Sequence, residues 1–263
     1  MLVDGNKKIV AIITGLLIIT IILIYNLKYY KAGNYPRIAC VIHTMAGNEE
    51  RAMAVQFTWA RYCDRYHFVA IRGSLMSAKP GINETHERVI EKTLLHMDFL
   101  YHNKPDDFDF FLKADDDSFI QMNYLRDFIV EKGIKAEDLL IFGRRFKSQG
   151  YHSGGAGYVM TREAMKKIFL EWNKNNSSCS TSGPDDVLIG ECADLAGVKI
   201  FDTLDTDGLE LFYPHSASSM EYPVERNPYL KSYNYYPIRG NIPKRPISFH
   251  YLFIIKTSLK TFR

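Results

Sequence analysis

Three consecutive carboxylates, Asp115, Asp116 and Asp117, follow an apolar run in FLKADDDSF (111–119). Adjacent like charges repel, and without a counter-cation that costs stability. A hard divalent cation resolves the conflict by taking oxygen ligands, with phosphates completing its sphere. A solvated acidic turn is the ordinary explanation of a bare triplet, but the strand-like run before it favours a site. The spacing excludes an EF-hand, which alternates its ligands and needs Gly at the sixth position. Further along, His250 lies inside the apolar run ISFHYLF. A neutral imidazole there either completes a transition-metal sphere or is a hydrogen-bonded core residue. Asp185 and Asp186 fall in the first turn of a helix, where acids also serve as partners of the helix dipole. GYHSGGAGYVM (150–160) sets Gly154, Gly155 and Gly157 before a helix, which permits close backbone approach to a ligand or merely tight packing. Arg144 and Arg145, after a strand, suit phosphate or sugar hydroxyls.

These residues need elements to carry them. RIACVIHT (37–44) reads as a buried strand, and Asn48 with Glu49 and Glu50 as the N-cap and acidic first turn of a helix reaching about Cys63. HFVAI (67–71), FDFFLKA (108–114) and LLIFG (139–143) are further strands, with a helix over 84–102 between the first two. YLRDFIVEKG is helical and stops at Gly133. Another helix starts near Thr161, and SGPDDVLIGECADLAG is a last one, with Pro184 near its start and Gly197 at its end. Strand and helix in alternation predict an α/β domain with a mostly parallel sheet. In such sheets ligands bind beyond the carboxyl ends of the strands, where the acid triplet lies.

At 263 residues, 46% hydrophobic and a net charge of +3, the chain is long enough for a packed core and carries no basic cluster that would indicate nucleic acid. IVAIITGLLIITIILIY (9–25) runs 17 residues without a charge. As a helix it is about 26 Å long at ~1.5 Å per residue, close to the ~27 Å core of a thin early-secretory bilayer. It has no polar face, and no small-x-small cleavage site follows, so an uncleaved anchor is preferred over a signal peptide. Lysines flank it equally, so the positive-inside rule does not orient it. Cys40, Cys63, Cys179 and Cys192, with no CxxC pair, and sequons at Asn83, Asn175 and Asn176 all follow it. Together they favour a single-pass type II protein with an oxidising lumenal part. The division expected is a cytoplasmic tail at 1–8, an anchor at 9–25, a short stem at 26–35 and a lumenal domain at 36–263.

FLKADDDSFI, FGRRFKSQGYHSGGAGYVMTREAM, GPDDVLIGEC, DTDGLELFYP, YNYYP and SFHY, in this order, resemble the core 1 β1,3-galactosyltransferases of the Fringe-like β1,3-glycosyltransferases, glycosyltransferase family 31. The resemblance extends from about Arg37 to Tyr251. It implies a GT-A fold, a Rossmann-like mostly parallel sheet, behind a single N-terminal transmembrane helix in the Golgi membrane. The implied reaction is a manganese-dependent, inverting transfer of galactose from UDP-galactose to O3 of GalNAc on serine or threonine of a glycoprotein, and the resemblance admits a homodimer. Carried over by position, Asp117 is the Mn2+ ligand and Asp115 faces the nucleotide, with Asp116 between them. His250 is the second metal ligand, and Asp186 the catalytic base. The resemblance also pairs Cys40 with Cys63 and Cys179 with Cys192, and, read from their own positions, Asp116, Gly155, Arg144 and Arg145 are further candidates for binding the nucleotide-sugar.

The chemistry is coherent, because an inverting transfer needs one carboxylate to take the acceptor proton and a cation to stabilise the departing diphosphate. Two departures concern the acceptor. The Trp-containing stretch that precedes YNYYP in the family reads NPYLKS here, with Tyr229, Leu230 and Lys231, and the paired cysteines before SFHY are replaced by NIPKRPI. A different acceptor, or a non-catalytic chaperone or lectin of the same fold, are therefore the competing expectations. A DxD-dependent phosphatase is disfavoured by Phe119 after the acids.

Overall fold

The computed structural model describes residue 20 and residues 35–70, 89–102, 105–147, 151–180, 183–216, 232–236 and 242–251. The chain divides into two compact units, Met1–Pro36 and Arg37–Arg263, and the sheets with the helices that cover them lie in the second. Among the described residues no helix is long and apolar enough to cross a membrane. Apart from residue 20, the expected anchor at 9–25 lies outside those residues, as does the sequon at Asn83.

Five of the six strands of the main sheet run parallel. In chain order they are β1 (Ile38–His43), β2 (Arg65–Val69), β3 (Phe110–Asp115), β5 (Leu140–Gly143), β6 (Tyr158–Thr161) and β7 (Lys199–Phe201). Their order in space is β2-β1-β3-β6-β5-β7, and β6 alone is antiparallel to its neighbours. The apolar residues of the strands alternate between two cores, as a two-residue period requires. Ile38, Cys40, Ile42, Phe110, Leu112 and Ala114 pack with helix α1 (Glu49–Thr58) and helix α3 (Met122–Glu131). Ala39, Val41 and Phe111 pack on the other face with α2 (Val89–His102), α4 (Arg162–Trp172) and α5 (Asp185–Leu195). Strands with apolar side chains on both faces are what a sheet covered by helices on both sides demands.

Both implied disulfides are present, Cys40–Cys63 and Cys179–Cys192, and no described cysteine is free. The helix expected from Asn48 to Cys63 ends at Thr58 and continues as a single 3-10 turn over Ala60–Tyr62. α4 starts next to Thr161, as expected, and the Thr161 hydroxyl caps it by accepting from Ala164 N. Asn48 does not cap α1 with its side chain, and the reason lies at the acid triplet.

A second, three-stranded sheet was not foreseen. It joins β4 (Phe119–Ile120), β8 (Phe212–Tyr213) and β9 (Ser248–Phe249) in the order β4-β9-β8. Phe119 pairs with Phe249 in antiparallel register. The residue after Phe249 is thereby brought beside the residues before Phe119, which closes a sequence gap of more than a hundred residues at one point.

Candidate active site

The three adjacent acids have three different environments. β3 ends at Asp115, and the turn to β4 is tied down by Ser118, whose hydroxyl donates to Gly155 O at 2.7 Å and whose carbonyl accepts from Trp59 Nε1 at 2.8 Å. Asp115 faces Lys113 Nζ at 2.8 Å. Asp116 turns towards α1 and accepts from Thr44 Oγ1 at 2.7 Å and Asn48 Nδ2 at 3.0 Å. The amide that the sequence suggested as a helix cap is thus used on a carboxylate. Asp117 faces His250 Nε2 at 3.1 Å. Arg51 stands 3.6 Å from an oxygen of both Asp116 and Asp117.

One ligand atom from each of Asp115, Asp117 and His250 lies within 4.8 Å of the other two. Two carboxylate oxygens and an imidazole nitrogen suit a divalent ion such as Mn2+, which accepts both hard and borderline donors. Gly155 makes room for this set. A Cβ built on it would lie 2.1 Å from His250 Cε1, 2.3 Å from Nδ1 and 2.5 Å from Nε2, so any side chain there would displace the ring. Gly155 is therefore placed by steric need against the metal-type ligand.

Asp186 enters the same centre from the start of α5. Its Oδ2 accepts from Gly154 N at 2.9 Å and its Oδ1 from Val187 N. Asp185, beside it, is 3.5 Å from Lys113 Nζ and accepts from Thr93 Oγ1 at 3.1 Å. Lys113 also donates to Gly154 O at 3.4 Å. Lys113 therefore lies between the acids of β3 and those of α5, and it is only 3% exposed. By strand alternation its side chain takes the α2/α4/α5 face, at the point where that face reaches the ligand edge.

The charges sort by burial and partner. Burial pushes the Asp186 carboxyl up and the neighbouring Asp185 charge adds to it, against the Gly154 N–H, leaving it above the ordinary carboxylate range. Asp185 is also pushed up by burial, but Lys113, His43 and Thr93 outweigh this and hold it low. For Asp117 burial is again opposed and overcome, by the hydrogen bond and charge of His250 and by Arg51. Burial raises Asp115 and Asp116 despite their partners. Lys113 is desolvated, yet Asp115 and Asp185 raise it, so it stays a cation at any working pH. The sequence reading missed Lys113, although a lone lysine in an apolar strand two residues before an acid is a visible signal. Arg51, Thr44 and Asn48 carried none.

Lys113→Met is expected to cost about 3–5 kcal/mol of stability, because Asp115 and Asp185 would be left buried without their shared cation. Urea unfolding of the variant beside the parent measures this. An unchanged midpoint would show that water reaches the acids.

Arg144 and Arg145, expected from their place after a strand to bind phosphate or sugar hydroxyls, are not brought to the acid centre by any contact among the described residues. Arg144 is buried and donates from Nε and Nη2 to Asn234 Oδ1 at 3.1 and 2.7 Å, with Glu210 3.9 Å from Nη1. Arg145 lays its guanidinium 3.7 Å over the Tyr235 ring and approaches Asp202 at 3.8 Å. Both arginines thus hold the segment 232–236, which contains most of the YNYYP motif.

Glu210 is pushed up to about 7 by burial, Arg144 opposing this only in part. Its folded value lies above the unfolded one of about 4.3, so the folded chain keeps a proton between these values. That stabilisation is lost as pH rises through the folded value. The melting temperature is expected to decline between about pH 5 and pH 8, and Glu210→Gln to flatten the decline. Parallel slopes in parent and variant would show that Glu210 does not carry the pH dependence.

No family model matches the chain. Over 228 residues it is 31% identical to the glycoprotein-N-acetylgalactosamine 3-beta-galactosyltransferase 1 of Xenopus laevis, covering 82% of this chain and 62% of that protein. Over 187 residues it is 24% identical to the beta-1,3-glucosyltransferase of Mus musculus, covering 67% of this chain and 35% of that one. The chain thus spans less than two thirds of either relative. Among solved structures, a glycosyltransferase involved in the glycosylation of the major capsid of PBCV-1 shares 11% identity, covering 66% of this chain and 86% of its own. Its TM-score of 0.40 is below the level at which a common fold is inferred.

Proposed function

We propose that this chain, a relative of the core 1 β1,3-galactosyltransferases, is a GT-A glycosyltransferase that moves galactose with inversion from UDP-galactose to the 3-hydroxyl of GalNAc on glycoproteins. The observation that carries the reading is one shared centre. A carboxylate with raised proton affinity, Asp186, is bonded to Gly154 N, one residue from the Gly155 that abuts His250 of the Asp115–Asp117–His250 set.

In this reading Asp186 takes the proton from the acceptor hydroxyl as its oxygen attacks the anomeric carbon and the bond to the diphosphate breaks. No covalent enzyme intermediate is needed, because a single displacement inverts the carbon. Burial and the Asp185 charge raise the proton affinity of Asp186, so it accepts a proton more readily than an ordinary carboxylate, as a general base should. Its two backbone hydrogen bonds fix the carboxylate plane. Asp117 and His250, with Asp115 beside them, would hold Mn2+, which when bound supplies Lewis-acid stabilisation of the leaving diphosphate. Lys113 keeps the acids on both sides from repelling one another apart, and Arg51, 41% exposed at its side chain, keeps a cation at the mouth of the site.

The direct test is transfer of galactose from UDP-galactose, with Mn2+, to GalNAc-bearing peptides. A folded chain that transfers to none of a panel of GalNAc-peptides and other glycan acceptors would overturn the enzyme reading. Transfer only to another acceptor would keep the β1,3-glycosyltransferase and replace its substrate. Of the acceptor stretch that departs from the family, 228–232, only residue 232 is among the described residues.

The same reading places residues 26–263 in the Golgi lumen behind an anchor at 9–25. Asn175 and Asn176 are exposed on the turn after α4, and both begin sequons. The chain made in a secretory-competent cell is expected to gain mobility on treatment with peptide-N-glycosidase, and Asn175→Gln/Asn176→Gln to lose at least one step of that gain. A parent chain with both disulfides formed but no sugar would reject the sequons while leaving the topology intact.

A further inference from the structure

His250 is enclosed on both faces of its ring. On one side lies Gly155, whose built Cβ would be within 2.5 Å of three ring atoms at once, which places it over the ring rather than at its edge. On the other, the Tyr251 ring stacks on the imidazole with centroids 3.7 Å apart and planes at 26°. We propose that Tyr251 is a positioning residue of the metal site: its ring clamps the His250 imidazole against Gly155 so that Nε2 is held towards Asp117. This rests on the reading of Asp117 and His250 as Mn2+ ligands.

Two observations support the clamp. The first is the backbone. Tyr251 has φ +56°, a left-handed conformation that is costly for a bulky aromatic residue and that Gly or Asn would adopt more readily. A tyrosine in such a position points to compensation by its side chain. The second is the main chain, where His250 N donates to Tyr213 O at 3.1 Å and His215 O at 3.2 Å. With its peptide fixed by β8 and the residues just after it, the ring retains only its side-chain torsions, and these are what a stacked neighbour restrains. Tyr251 also stacks at longer range on His215, at 6.1 Å and 28°. Tyr251 is 43% exposed, and the ring face it lays on His250 is what the clamp uses.

The test titrates Mn2+ into the full chain in detergent with UDP present, following free Mn2+ by electron paramagnetic resonance. Tyr251→Phe keeps the ring and is expected to bind within about twofold of the parent. Tyr251→Gly and Tyr251→Asn tolerate the backbone but remove the ring, and each is expected to raise the Mn2+ dissociation constant about tenfold or more. Donor KM should rise with it, while kcat at saturating Mn2+ falls less. His250→Ala marks the floor. Gly and Asn variants that bind Mn2+ like the parent would overturn the clamp, as would a Phe variant as weak as Gly. A parent chain that binds no Mn2+ would instead overturn the metal reading beneath it. Both ring-free variants relieve the left-handed tyrosine, so their melting temperatures should not fall below that of Tyr251→Phe, and a fall would assign the residue a folding role instead.

Discussion

Asp186→Asn is expected to lower galactosyl transfer about a thousandfold while leaving UDP binding in Mn2+ intact. The magnitude is that of losing a positioned general base. The amide keeps the shape of the side chain but can offer only one acceptor to the two N–H groups, of Gly154 and Val187, that now hold it. A modest loss of stability is therefore expected alongside the loss of turnover, and calorimetry of UDP binding separates the two. Turnover within tenfold of the parent would remove Asp186 as the base. Loss of UDP binding would make it a structural anchor of the glycine loop. In the parent, the acid limb of kcat/KM should lie above the ordinary carboxylate range of about 4, because burial and Asp185 both favour the protonated form of Asp186. Transfer is then lost as pH falls through that raised value, and not at higher pH.

The second large effect is at Gly155. An alanine Cβ would overlap His250 Cε1 at 2.1 Å, and the contact is with a ring enclosed on its other face by Tyr251. The imidazole must leave its position. Gly155→Ala is expected to weaken Mn2+ binding about ten- to a hundredfold, the usual consequence of disturbing what orients a ligand. It should cost about 1–3 kcal/mol of stability from overpacking. Excess Mn2+ should restore part of the activity, since Asp186 and Lys113 are untouched. Gly154→Ala is the control. Its nearest contacts are Lys113 Nζ at 3.0 Å and Asp186 Oδ2 at 3.3 Å, so it should disturb the acids before the metal set. Unchanged Mn2+ affinity in Gly155→Ala would show that His250 is not seated where the ring now lies.

Long elements with clear periodicity were legible in the sequence. β1, β3 and β5 were readable as apolar runs, α4 as a helix starting near Thr161 and α5 by Pro184 and Gly197. The acid triplet could be placed at a strand end before any partner was known. The elements that complete the site were not readable, for physical reasons. β4, β8 and β9 are two residues each, too short for any period to show. Yet the pairing of Phe119 with Phe249 is what brings His250 to Asp117. β6 appeared only as apolar residues after glycines, and strand direction leaves no mark in composition. Lys113 could have been noticed by alternation. Asn48 was readable as the N-cap position before two glutamates, but not the use of its amide, which donates to the Asp116 carboxylate after the end of β3. Arg144 looked available because it follows a strand, but Asn234, ninety residues away, already occupies it.

The two disulfides draw a boundary through this site. The ring closed by Cys40 and Cys63 contains Thr44, Asn48, Arg51 and Trp59, and the ring closed by Cys179 and Cys192 contains Asp185 and Asp186. Lys113, Asp115, Asp117 and His250 belong to neither. The candidate base and the props of the acid turn are thus secured by covalent cycles, while the candidate metal donors lie outside both and are held by strand pairing and other non-covalent contacts. A chain produced in a reducing compartment is expected to lose the two kinds of support unequally. It would keep the Asp115–Asp117–His250 set for as long as the sheets survive, and give up first the start of the helix that carries Asp186.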